Sequence, residues 1–223
     1  MKMMRFDEYN GNDFNGLHRK SSFYCVNKRI MDILGGCFGL ILSAIPIIFL
    51  AIRIKKDGGP IFYAQERIGK NSKLFIMYKL RSMVPNADDL KDTLLEKNEL
   101  HGGMFKIKED PRVTEIGRTI RRCSLDELPQ FWNVVKGDMS LVGPRPCLKR
   151  ELTQYSEHDK QRLLVKPGIS GLWQVSGRSN LDFADMIELD LKYIRERSIR
   201  NDLKICLKTI RLVFFSKDHS GAY

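Results

Sequence analysis

The sequence predicts an α+β fold, mainly helical, in which a re-entrant membrane helix hairpin is joined to a compact cytosolic domain with a short antiparallel β pair and amphipathic interfacial helices. Three observations carry this. The run from Ile33 to Ile52 holds 20 residues without a charge and has basic residues at both ends. Two stretches that alternate apolar and polar residues follow it. The remainder consists of helical patterns separated by long loops rich in glycine and proline, the kind of segment that usually carries binding groups.

A length of 223 residues bounds the chain to one domain with a short appendage. With 43% hydrophobic and 29% charged residues it can bury a core, which excludes disordered and collagen-like classes. The 38 Lys and Arg against 27 Asp and Glu give a net charge of +11. Nucleic acid, anionic lipid and phosphorylated substrates are all attracted by such a surface. The five cysteines, at 25, 37, 123, 147 and 206, are scattered and form no C-x-x-C pair. That pattern fits a reduced, cytosol-facing protein with neither a disulfide frame nor a zinc site.

Residues 1–24 are polar and lack a sustained period, so they read as a mobile N-terminal arm. Residues 25–56 form the membrane hairpin. A straight helix over Ile33 to Ile52 reaches about 30 Å, the thickness of the hydrocarbon core. A buried core helix fits less well because the run lacks a polar face, and a signal peptide because basic residues continue beyond it. Pro46 removes one helical hydrogen bond, and Ser43 offers a hydroxyl to the freed carbonyl, so a break is expected there. Lys28 and Arg29 precede the segment, and Arg53, Lys55 and Lys56 follow it. The positive-inside rule then favours both ends on the cytosolic side, with a single span kinked at Pro46 as the alternative.

Residues 57–216 form the cytosolic domain, and 217–223 a C-terminal tail. Pro60 to Met83 reads as two antiparallel strands. Helices are expected over Asn86 to Glu99, Leu125 to Val135, Cys147 to Leu164, Phe183 to Arg195 and Asp202 to Phe215. Along the last of these and the residues just before it, Arg197, Arg200, Lys204, Lys208 and Arg211 form one stripe, opposed by Leu203, Leu207, Ile210 and Phe214. The pattern suits a helix lying in the lipid interface, and equally an ordinary surface helix.

The densest chemical motif is RRCSLDELPQFWN, Arg121 to Asn133. Its adjacent carboxylates, Asp126 and Glu127, suit Mg²⁺, and its arginines suit phosphate. Neighbouring helical side chains point about 100° apart, so one carboxylate can bind metal while the other does covalent or acid-base work. Ser124 with Glu127 is also a capping box, which accounts for both residues without chemistry. Arg145, stiffened between two prolines, suits either a phosphate clamp or a structural ion pair. Arg178 and Lys166, in glycine-bearing loops, invite the same two readings. Lys79 and Arg81 alternate along a strand and share a face. A P-loop is absent, and the four histidines lie outside any triad-like motif.

Taken in order, KRIMD before a proline-broken apolar run, GGPIFYAQERIG, FIMYKLRSM, DPRVTEIGRTIRRCSLDELPQFWNVVKGDMSLVGPRP and KPGISGLWQVSGR strongly resemble the bacterial sugar transferases that act on polyprenyl phosphates. The resemblance spans residues 26 to 216. It implies transfer of a hexose 1-phosphate from a nucleotide diphosphate sugar, with uridine the usual nucleotide, to undecaprenyl phosphate, at the start of exopolysaccharide, capsule or glycoconjugate assembly. By the same resemblance Asp126 is the nucleophile and Glu127 its partner near Mg²⁺. Lys79, Arg81, Arg112, Arg121, Arg145 and Arg178 are the phosphate- and substrate-binding residues.

The family's hairpin carries a Ser-Pro pair at its break, whereas Ile45 precedes Pro46 here and Ser43 is the nearest serine. The chain is further expected to be the small, monotopic version of the family, on the cytoplasmic face of the bacterial inner membrane and attracted to its anionic lipids. A nucleic-acid partner is not expected, because no reader fold or aromatic interleaving accompanies the basic residues. The oligomeric state is open, a homodimer included.

Overall fold

The computed structural model describes residues 20–90, 93–94, 107, 109–177 and 181–215. Most of the expected N-terminal arm, the C-terminal tail, Arg178 and much of the expected helix from Asn86 to Glu99 lie outside them. Of that helix, residues 86–90 are described as a run of turns and residues 93–94 as part of a 3₁₀ turn.

A single helix, α1 (Ser22–Ile54), takes the place of the expected broken hairpin and begins three residues before Cys25, with Ser21 as its cap. It runs through Pro46. Ser43 Oγ donates to Leu40 O at 3.1 Å, one turn back, and not to the Leu42 carbonyl that Pro46 leaves unpaired. Proline bends a helix at one point while the bonds on either side persist.

The polarity of α1 is inverted relative to a soluble amphipathic helix. Its buried residues, Asp32, Gly36, Gly39, Ser43, Leu50 and Ile54, form one stripe at spacings of three, four and, once, seven residues, and the first four of them are small or polar. Phe38, Ile41, Leu42, Ile45, Ile48, Phe49 and Ile52 are all exposed. The stripe lies on α3 (Gln130–Lys136) and β3 (Ser140–Val142). A Cβ on Gly39 would stand 2.5 Å from the Phe131 ring, so only glycine permits this approach. Asp32 accepts from Ser140 Oγ at 2.9 Å and from the Leu141 N–H at 3.0 Å. Arg29 donates to the Val134 and Val135 carbonyls at the end of α3, at 2.7 and 2.6 Å. Lys28 pairs with the fully buried Asp202 at 3.1 Å. Both cations therefore point into the protein, and the basic cluster ahead of the apolar run serves packing instead of lipid contact.

The far end of α1 joins a second core cluster. Leu50 and Ile54 pack with Leu80 and Ile120, and Arg81 donates to the Ile54 carbonyl at 2.9 Å. Strands β1 (Phe62–Ile68) and β2 (Leu74–Leu80) form the expected antiparallel pair, with Tyr63 opposite Lys79 and Arg67 opposite Phe75.

Further on, helix α2 (Glu115–Arg122) lies where no helix is expected, although Thr114 caps it through the Gly117 N–H and Arg121 and Arg122 close it. Between Cys147 and Leu164, two one-turn helices, α4 (Lys149–Leu152) and α5 (Glu157–Lys160), and a 3₁₀ turn replace the single expected helix. Ser156 and Asp159 form a capping box that restarts the chain at α5. A parallel pair, β3 with β4 (Gly168–Ser170), escapes sequence reading because three residues carry no period.

Helices α6 (Phe183–Glu196) and α7 (Ile199–Phe215) close the domain over a core of Val142, Ile187, Leu191, Tyr193, Ile194 and Ile205. On α7 the inward face is Asp202, Ile205 and Thr209, whereas Leu203, Leu207 and Ile210 are at least half exposed, beside exposed Lys204, Lys208 and Arg211. The apolar stripe legible in the sequence thus faces outward, next to the basic one.

Candidate active site

Asp126 and Glu127 belong to a 3₁₀ turn, Leu125–Glu127, with Pro129 between them and α3. The regular helix expected from Leu125 starts only at Gln130. Ser124 has φ of 56°, in the left-handed region, and its side chain makes no cap bond. Capping therefore does not account for the carboxylate pair. The two acids converge on one ammonium: Lys79 Nζ lies 3.0 Å from Asp126 Oδ2 and 3.2 Å from Glu127 Oε1. Burial disfavours the lysine's charge, but Asp126 and then Glu127 outweigh it and raise its pKa above the ordinary value.

Asn133 sets this turn against the sheet. Its fully buried amide donates to Ile76 O at 2.6 Å and accepts from the Tyr78 N–H at 3.1 Å, so α3 is bound to the backbone of β2 beside Lys79. Sequence reasoning missed this residue, because an asparagine inside a helix carries no distinguishing pattern.

The dyad opens on a cavity of about 680 Å³. Asp126, Glu127, Lys79, Arg81, Arg112, Arg121 and Arg145 all line it, so every described residue of the expected site reaches one space. Their heads are engaged differently. Arg112 is buried and grips Asp110 through Nε and Nη2, at 2.9 and 2.6 Å, and donates to Ala87 O at 3.2 Å. That fork holds Asp110 below the usual carboxylate range despite its burial. Arg81 ties the domain to α1, as described above. Arg145 pairs with the buried Glu151 at 3.2 Å, so the ion-pair reading of this residue holds at the wall of the cavity.

Sequence reasoning also missed Tyr63, Gln65 and Arg67, which alternate along β1 and line the same cavity. Strand parity was the available signal, since Tyr63 pairs with Lys79. Arg67 is 8% exposed; burial first, then the neighbouring Arg145, lower its pKa to about 10. Among the described residues no group of three or more His, Cys, Asp and Glu side chains gathers at metal-binding distance.

Two acids sharing a cation at the edge of a basic cavity suit phosphoryl chemistry, and the comparisons agree. The chain is 50% identical over 191 residues to the galactosyl transferase CpsE of Streptococcus agalactiae serotype III, covering 85% of this chain and 42% of that protein. It is 42% identical over 213 residues to the undecaprenyl-phosphate galactose phosphotransferase of Salmonella typhimurium, covering 94% and 44%. Over 204 residues it is 38% identical to the exopolysaccharide production protein ExoY of Sinorhizobium fredii, covering 89% and 88%. The chain thus spans less than half the length of the first two relatives and most of the third. Residues 23–216, which carry α1, the strand pair, the dyad and α7, match the bacterial sugar transferase family, and the chain belongs to that family.

Proposed function

We propose that this protein transfers a hexose 1-phosphate from a nucleotide diphosphate sugar, with uridine as the base, to undecaprenyl phosphate. The observation that carries the proposal is the convergence of Asp126 and Glu127 on Lys79 in a cavity walled by further cations. Relatives named as undecaprenyl-phosphate galactose and N-acetylgalactosamine phosphotransferases support the reaction class.

An oxygen of the Asp126 carboxylate attacks the sugar-bearing β-phosphorus, and the bond from that phosphorus to the bridging oxygen breaks. The nucleoside monophosphate leaves, and the sugar phosphate remains joined to Asp126 as an acyl phosphate. A phosphate oxygen of the lipid then attacks the same phosphorus, restoring Asp126 and giving the lipid diphosphate sugar. Two half-reactions let a soluble and a membrane-held substrate use one site in turn. Lys79 holds Asp126 in place and, with Arg121 and Arg145, offsets negative charge on the transferring group.

The two adjacent carboxylates fit Mg²⁺, which is usually held by one or two carboxylates with substrate phosphates completing the shell. Asp126 and Glu127 would hold the ion, whose chemistry there is neutralisation of phosphate charge.

The same reading sets the chain on the cytoplasmic face of the inner membrane, with α1 bent at Pro46 so that both of its ends stay at one leaflet. In support, both ends of α1 rest on the same domain, through Arg29 at one end and Ile54 at the other. A spanning helix would separate its ends by about 30 Å of hydrocarbon. The outward apolar and basic stripes of α7 suit the same surface and its anionic lipids.

The test is Asp126→Asn in membranes supplied with undecaprenyl phosphate and a panel of labelled nucleotide sugars. Lipid-linked product and nucleoside monophosphate are expected from wild type and from neither half-reaction of the variant. Substantial turnover by the variant overturns Asp126 as nucleophile.

A further inference from the structure

Arg67 is nine-tenths buried, yet its partners are neutral: Gln65 Oε1 accepts from Nε and Nη2 at 3.0 and 2.7 Å, and Pro146 O accepts from Nη1 at 2.9 Å. Among the described residues no carboxylate lies within ion-pair distance of it. A guanidinium has five N–H donors, so one N–H on each terminal nitrogen is left over. Arg145, a second cation in the same wall, is close enough to depress the charge on Arg67. The carboxylate that acts on both is Glu151, which is already committed: it pairs with Arg145 and accepts from the Leu148 N–H at 2.9 Å to start α4. Arg145 is also bridged through its carbonyl to Arg162, which pairs with Asp190, so here three guanidinium groups share two carboxylates and one cation is in excess. A buried excess cation is costly unless it is paired with an opposite charge, and the open side of this pair is the cavity that Asp126 also lines.

We infer that Arg67 and Arg145 form a paired-guanidinium site for a phosphate group of a substrate, with Gln65 holding the Arg67 fork in orientation. The inference rests on the sugar-phosphate transfer reading for its substrates but not for the binding itself. Arg67 shares the strand face of Tyr63, which pairs with Lys79, so the phosphate held there lies along the same face as the dyad's cation. Planar bidentate donors suit phosphate oxygens, and a lysine cannot reproduce them. The phosphate belongs either to the nucleotide or to the polyprenyl acceptor.

The experiment uses the full chain in detergent micelles and measures the affinity of uridine diphosphate and, separately, of undecaprenyl phosphate by titration. Wild type is compared with Arg67→Lys and Arg67→Gln, each checked for its unfolding temperature. A loss of about 10- to 100-fold for one probe, in a variant that unfolds like wild type, is expected and identifies whose phosphate is held. If Arg67→Gln fails to fold, Arg67→Lys, which keeps the charge, and Gln65→Met, which removes the anchor, serve in its place. Unchanged affinity for both probes in any folded variant overturns the site. Because binding is read without turnover, an Asp126→Asn protein that still transfers sugar sinks the covalent mechanism and leaves this inference standing.

Discussion

Lys79 Nζ lies 3.0 Å from Asp126 Oδ2, across 47 residues of chain, and its second carboxylate partner is the next residue along. The pairing fixes the sign of its pH dependence. The folded pKa of Lys79 is raised, so the stability it contributes is fully present below the unfolded value of about 10.4 and is lost only as pH rises through the folded one. Lys79→Met is therefore expected to lower the unfolding temperature by a constant amount from pH 6 to 9, with the gap to wild type closing only above that window. A gap that closes near neutrality contradicts the charged pair. The same variant is expected to lose about 100-fold or more in transfer rate, measured as released nucleoside monophosphate.

Ser124 separates two explanations of the dyad. A capping serine replaced by alanine costs about 1 kcal/mol. Because Ser124 makes no cap bond and sits at positive φ, Ser124→Ala is expected to change stability by less than about 0.5 kcal/mol in a denaturant titration. A full capping loss would restore the structural account of Glu127.

Asn133 is the joint between α3 and β2. Replacing it with leucine leaves the Ile76 carbonyl and the Tyr78 N–H buried without their partner, at about 2 to 4 kcal/mol together. Calorimetry should register that loss. Asn133→Asp, which sets a buried carboxylate oxygen against the Ile76 carbonyl, is expected to lose at least as much as the leucine variant.

Gly39 faces the Phe131 ring with no room for a side chain. Gly39→Leu is expected to destabilise by about 1 to 3 kcal/mol through overpacking. Adding Phe131→Ala should recover part of that loss, whereas two additive losses would show that the residues do not meet. The readout is unfolding in micelles for both single variants and the double.

How much of this was legible depends on the length scale of each signal. The apolar run, the strand pair and α6 carry periods over seven or more residues and are read directly from the chain. The three-residue β3 and β4 and the one-turn α4 and α5 are set by tertiary contact and caps, which no period records. Within the site, the adjacent Asp126 and Glu127 and the proline-flanked Arg145 stood out by their spacing, whereas Arg112 and the roles came only with the family resemblance. Arg67 was passed over because it reads as an ordinary strand residue until its neighbours are known. The inward turn of Lys28 and Arg29 was hidden for the same reason, since their partners Asp202 and Val134 lie more than a hundred residues away.

The inverted polarity of α1 has a consequence for the order of events during synthesis. Leu50 and Ile54 complete the cluster around Leu80 and Ile120, and Asp32 supplies an acceptor that Ser140 and Leu141 use. The segment with the apolar exterior leaves the ribosome before Leu80, Ile120, Ser140 and Leu141. The inward stripe of α1 therefore waits for its partners while its apolar exterior is already exposed, and the rest of the domain is assembled on that helix.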